Sequence, residues 1–179
     1  MDRGGKLENA NQGVLLDRSY LKAYGTDFEI SVHAMPKSLT REVRHVFPQV
    51  ELTNLLLLPT LQRSKYDLVT WGGDIDVEKD RLLGEFFNFA KPFCAQIAAF
   101  GYWADYIDPC SGLPMITPDC NKVFNEVDCM ECVLGYKTMN CGCCKVLLHP
   151  IWGSSVYPAS VLTTAPSDVI ERVLKEYIS

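Results

Sequence analysis

The sequence predicts an α+β fold, a single domain built on a mainly antiparallel sheet with flanking helices. Three observations carry this expectation. Strand-like runs fall in clusters, at residues 27–34, 52–62, 66–73, 144–149 and 156–164, rather than each alternating with a helix. Helical patterns are few, and the strongest is long. The 179-residue chain is 47% hydrophobic and 22% charged, which suits one globular core and excludes a disordered profile.

Along the chain, residues 1–18 are polar, carry Gly and Asn, and read as a flexible arm ahead of a domain spanning 19–179. In "DFEISVHA", Phe28, Ile30 and Val32 alternate inward as in a half-buried strand. After Pro36, Ser38 is placed to cap a short helix whose Leu39, Val43, Val46 and Phe47 share a face, closed by Pro48. "LTNLLLLPTLQ" and "YDLVTWGG" read as neighbouring strands around the turn "RSK", with Pro59 pushing the first toward a sheet edge. A helix is expected over 77–100, capped by Asp76, kinked or split at Pro92 and ended by Gly101. Its stripe of Leu82, Leu83, Phe86, Phe87, Ala90, Phe93, Cys94, Ile97 and Ala98 reads as core. "CKVLLH" and "VYPASVLTT" read as strands, and 167–178 as an amphipathic helix behind Pro166.

Composition also narrows the function. The net charge is −5, with no Lys/Arg cluster to make a nucleic-acid footprint. No apolar run approaches membrane-spanning length, and the first thirteen residues carry neither a signal core nor a transit-peptide pattern. Neither nucleic acid nor membrane is expected as a partner.

Chemistry concentrates in the cysteines. Of eight, five (Cys129, Cys132, Cys141, Cys143 and Cys144) crowd into sixteen residues. Cys129-x-x-Cys132 followed by Cys141-x-Cys143-Cys144 offers enough soft thiolates for four tetrahedral ligands to zinc or an iron–sulfur cluster. The same thiols can instead be independently reactive, a dithiol oxidoreductase pair, or inert and buried. If residues 143–145 form strand, Lys145 shares a face with Cys143, which makes Cys143 the better thiolate. Among the other titratable groups, His45 reads as a surface residue and His149 as a satisfied strand-end histidine. Asp108-Pro109 reads as a turn beside Asp105, and "WGGDIDVEKD" as a turn with a helix cap.

Two stretches, "GYWADYIDPCSGLP" and "GCCKVLLHPIWG", give the chain a resemblance to the cobalamin-trafficking proteins of the type D methylmalonic aciduria and homocystinuria family. The matching elements are residues 101–113, Gly142 to Val146, and Trp152-Gly153, and the similarity runs from Phe28 to the C-terminus. The resemblance implies a nitroreductase-like α+β fold without a retained flavin site. It also implies an adaptor rather than an enzyme, working with a type C cobalamin-processing partner in the cytoplasm or mitochondrial matrix, with a homodimer as a further expectation. It implies that Cys143 supplies a thiolate to the cobalt of cobalamin and that Asp128 supports the thiol-bearing loop. Cys129, Cys132 and Cys141 stand where the family carries charged, aromatic or apolar residues. They keep open two alternatives: a metal or iron–sulfur site with thiol redox activity, or redox partners that protect or resolve Cys143.

Overall fold

The computed structural model describes residues 13–178. Seven strands and four α-helices, with a short 3-10 helix at Lys22–Asp27, form the described residues: β1 (Val14–Tyr20), β2 (Phe28–Ala34), α1 (Lys37–Val46), β3 (Leu56–Arg63), α2 (Gly73–Ala99) and β4 (Ala104–Tyr106), then α3 (Glu126–Leu134), β5 (Lys137–Cys141), β6 (Cys144–Leu148), β7 (Val156–Thr163) and α4 (Ser167–Leu174). The main sheet has the order β1-β2-β3-β7-β4 with every neighbour antiparallel, and β5 and β6 form a separate hairpin. The α+β, mainly antiparallel expectation holds.

The period of two in the strands decides which helices lie where. On β3 and β7, Leu58 and Val161 face one side, into a core with Phe28, Phe86, Phe93 and Ile97 beneath α2 and α4. Leu57 and Leu162 face the other side and meet Val43, Val46 and Phe47 of α1. Beyond them Leu61, Met130, Leu147 and Val156 make a third cluster under α3 and the β5–β6 hairpin. The sheet is therefore covered on both faces. β2 is not half-buried as its alternation suggests, because Glu29 and His33 are buried along with Phe28, Ile30 and Val32.

Several expectations are corrected. The arm ends earlier than residue 18, since β1 already pairs with β2 from Val14; residues 1–12 lie outside the described residues. "YDLVTWGG" is a turn: Asp67 Oδ1 accepts from Val69 N at 3.2 Å, and its carbonyl accepts from Thr70 Oγ1 at 2.6 Å, so local bonds capture the backbone a strand would need. Pro59 sits in a central strand, where β3–β7 pairing is continuous. The gap falls on the other side, where β2–β3 partners skip Ser31 and Val32, as a missing N–H requires. α1 begins after Pro36 without a side-chain cap from Ser38, and α2 begins at Gly73 with Gly72, not Asp76, in the cap position.

Pro92 does not divide α2, which runs through to Ala99. The carbonyl it orphans belongs to Asn88, and both residues lie on the exposed side, where water can serve. Gly101 follows the helix with φ of +84°, as its position suggested. Among the described residues no helix is long and apolar enough to cross a membrane.

Candidate functional site

The cysteine-rich segment folds as a helix followed by a hairpin. Asn125 caps α3 by accepting from Asp128 N at 3.4 Å, and its amide also donates to Asp128 Oδ2. The helix stops at Gly135, and β5 and β6 then pair from Lys137↔Leu148 to Cys141↔Cys144. Only Gly142 and Cys143 lie between the strands. Gly142 has φ of +61° and Cys143 does not have a positive φ, the pattern of a type II′ turn with glycine at its first central position. The reversal puts Cys143 at the outermost point of the hairpin, exposed.

Side chains on one face of the hairpin turn toward α3. Lys145 Nζ donates to Asp128 Oδ1 at 2.7 Å and also to Glu131 Oε2, while Thr138 Oγ1 donates to Glu131 Oε1 at 2.9 Å. These bonds hold the Lys145 ammonium above its ordinary pKa, and the Glu131 carboxyl below its own. Leu147, on the same face, is buried against the third core cluster. The expectation that Lys145 activates Cys143 is corrected: the chain reverses at Cys143, and the ammonium is committed to two carboxylates on α3. Neither Glu131 nor its role was foreseen. The signal was present in Asp128-x-x-Glu131, a pair of acids at helical spacing preceding a strand lysine.

The five thiols part company. Cys129 is 3% exposed, its Sγ lies 3.9 Å from Met35 Sδ, and burial pushes its pKa up to about 12. Cys132 is exposed further along α3. Cys143 Sγ and Cys144 Sγ are 3.8 Å apart, and the neighbouring Cys143 raises the Cys144 thiol pKa. All eight cysteines are free, and among the described residues no three Cys, His, Asp or Glu side chains converge to hold a metal. The four-sulfur set expected for zinc or an iron–sulfur cluster therefore does not assemble, because Cys129 belongs to the core and Cys143 to the hairpin tip.

Two concave surfaces meet at the tip. An open cleft of about 730 Å³ is lined by Cys143, Cys144, Lys145, Cys110, Glu126 and Glu42. An apolar groove of about 280 Å³ runs past Cys141, Cys144, Val146, Tyr157 and Trp71. In the cleft, Glu126 is half-buried as a residue, yet its Oε1 is sealed from solvent and has no partner. Burial pushes this carboxyl up to about 8; the nearby Ser160 opposes the shift and Asp108 adds to it.

The remaining candidates are structural. His149 is buried; its Nδ1 accepts from the backbone N–H groups of Ile151 and Trp152, so Nε2 carries the hydrogen given to Glu29 Oε2 at 3.1 Å. Trp152 stacks on it with centroids 4.0 Å apart, which accounts for the Trp-Gly of that loop as a histidine clamp. Asp105 is fully buried and accepts from the backbone of Tyr106, Met115, Ile116 and Thr117. Asp108 caps its own turn, accepting from Cys110 N and Ser111 Oγ, as the Asp-Pro reading implied. His45 is exposed, also as expected.

The sequence matches the family of the methylmalonic aciduria and homocystinuria type D protein over residues 7–174. The chain belongs to that family. Among curated proteins it is similar to those named Cobalamin trafficking protein CblD: 37% identical to that of Rattus norvegicus, 36% to that of Homo sapiens and 38% to that of Gallus gallus, each over 140 residues. These alignments cover 78% of this chain and 47% of each relative, so the chain spans about half the length of the curated relatives it matches.

Proposed function

We propose that the chain is an adaptor of cobalamin trafficking that presents the Cys143 thiolate to the cobalt of a cobalamin held by a type C processing protein. The observation that carries this reading is the position of Cys143. It is an exposed thiol at the apex of a two-residue turn, on a hairpin fastened to α3 through Lys145, Asp128 and Glu131. The relatives' printed name and the family membership supply the cargo. A thiolate is a soft donor suited to a transition metal, and an apex position lets it enter another protein's cavity without the rest of the fold following. Asp128 acts through Lys145, fixing where the tip stands, and does not itself meet the metal. In this reading the protein works in the cytoplasm or the mitochondrial matrix.

Absorption spectra of cobalamin bound to a type C partner test the assignment. Adding this chain should produce a cobalt–thiolate spectrum that Cys143→Ser abolishes and Cys132→Ser leaves intact. Retention of the spectrum in Cys143→Ser refutes the role given to that residue.

A further inference from the structure

We propose that Cys141 and Cys144 form a resolving dithiol that returns Cys143 to its free state when a low-molecular-weight disulfide has captured it. The inference rests on the reading of Cys143 as the working thiol, and goes beyond it by giving the two flanking thiols a task.

The geometry comes from the hairpin. Cys141 and Cys144 are the register pair that closes the turn, so their side chains leave the same face, and both line the apolar groove. Cys144 also lines the open cleft with Cys143, whose sulfur is 3.8 Å away. Cys144 thus stands between the exposed thiol and the half-buried one. The two disulfides it could make differ in fit. Neighbouring residues have Cα atoms about 3.8 Å apart, short of the roughly 4.4 Å at which disulfide spans begin. Directly opposed residues of an antiparallel pair have Cα atoms roughly 4.5–5.5 Å apart, within the disulfide range. The Cys143–Cys144 link is therefore the transient one and Cys141–Cys144 the resting one.

The exchange balances. A disulfide RSSR is attacked by the Cys143 thiolate, giving Cys143–S–SR and releasing RS⁻, which takes up the proton Cys143 lost. Cys144 then attacks Cys143 Sγ, expelling a second RS⁻ that is protonated in turn. Cys141 attacks Cys144 Sγ and releases Cys143, which regains a proton. In sum Cys141 and Cys144 lose two electrons and two protons, RSSR becomes two RSH, and Cys143 ends as it began. The resulting disulfide is exposed at one partner and sits at a hairpin end, the kind of position from which thiols readily reduce it.

The test uses oxidised glutathione as RSSR and the reduced, anaerobic protein. After acid quenching and alkylation, the peptide of residues 138–145 holds all three thiols and is mapped by tandem mass spectrometry. The expected wild-type product has lost two hydrogens between Cys141 and Cys144 and carries the alkyl label on Cys143. In Cys141→Ser the modification should stay on Cys143, as a glutathione adduct or a Cys143–Cys144 link, and in Cys144→Ser as the adduct alone. A wild-type protein that accumulates glutathione on Cys143 to the same extent as Cys141→Ser overturns the proposal, as does a wild-type disulfide that retains Cys143. Because this map involves no cobalamin, its failure is separate from failure of the cobalt assignment, which is read by the spectrum of Cys143→Ser. Where that spectrum is formed, prior exposure to oxidised glutathione should abolish it in Cys141→Ser and spare it in the wild type.

Discussion

Replacing Asp105 of β4 with alanine should be a strongly damaging single change, because this side chain ties down the loop that runs from β4 to α3. Its carboxylate is fully buried and gathers four backbone N–H groups, at 2.8 Å from Tyr106, 3.0 Å from Met115, 2.9 Å from Ile116 and 2.7 Å from Thr117. Met115 N also donates to the Tyr106 carbonyl, and the Tyr106 bond is local, so the unshared tertiary bonds are those of Ile116 and Thr117. At about 1.5–3 kcal/mol for each hydrogen bond to a charged group, these two set an upper bound of about 3–6 kcal/mol. The loop is partly exposed, and water regains some of those donors, which brings the expected loss to about 2–4 kcal/mol. Urea unfolding followed by circular dichroism reads this directly, and the melting temperature should drop by about 4–16 °C for a chain of this size. Asp105→Asn should fall between, because one oxygen survives while the amide N–H₂ must face the remaining backbone donors. A loss within about 0.5 kcal/mol for Asp105→Ala, the range of ordinary surface changes, would refute the claim that this carboxylate organises the loop.

Two further changes probe the hairpin and its cleft. The Glu126 carboxyl is raised from 4.5 to about 8 in the folded protein, so the folded chain binds a proton that the unfolded chain has released between those values. Its contribution is complete below about pH 4.5 and is lost as pH rises through 8, so Glu126→Gln should be about 1–3 kcal/mol more stable than wild type at pH 8 and nearly equal at pH 5. Equal stability of the two proteins at pH 8 would show that the carboxyl ionises freely. Lys145→Met cuts both ties from the hairpin to Asp128 and Glu131. These groups are exposed, so melting should change little, whereas the rate of cobalt–thiolate formation should fall about tenfold from misplacement of the tip. Unchanged ligation in Lys145→Met would remove Asp128 and Glu131 from the site.

How much of this was legible depended on whether side-chain burial or backbone geometry made the decision. The α2 stripe was readable because its apolar residues repeat at helical spacing, β2 because Phe28, Ile30 and Val32 alternate, and β3 and β7 as short apolar runs of strand length. β1 was not, because the apolar residues of "VLLDRSY" do not alternate and this edge strand is held by its backbone partner rather than by its own pattern. The "YDLVTWGG" segment has strand propensity, but the Asp67 turn won locally. For the site, the resemblance implied Cys143 and Asp128, while placing Lys145 on the face of Cys143 required β6 to run through the turn, although the glycine between Cys141 and Cys143 was the available sign of a reversal. Spacing alone also could not show that Cys129 turns inward to Met35 while Cys132, three residues on, turns outward.

The reversal at Gly142 explains why this segment can carry several thiols without becoming a metal centre. A tetrahedral site needs four donors pointing at one centre. A two-residue turn instead sends the apex side chain away from the strands it joins and sets the flanking pair side by side on one face. Cys143 is left exposed at the apex, open to the outside ligand we propose for it, whereas Cys141 and Cys144 are register partners. The opposite face, carrying Lys145, Thr138 and Leu147, is spent on α3, so the tip is held by bonds that do not involve sulfur. The proposed presentation of one thiol and the proposed pairing of the other two thus both depend on the same glycine. A substitution at Gly142 should disturb both at once, while Cys141→Ser should disturb only the pairing.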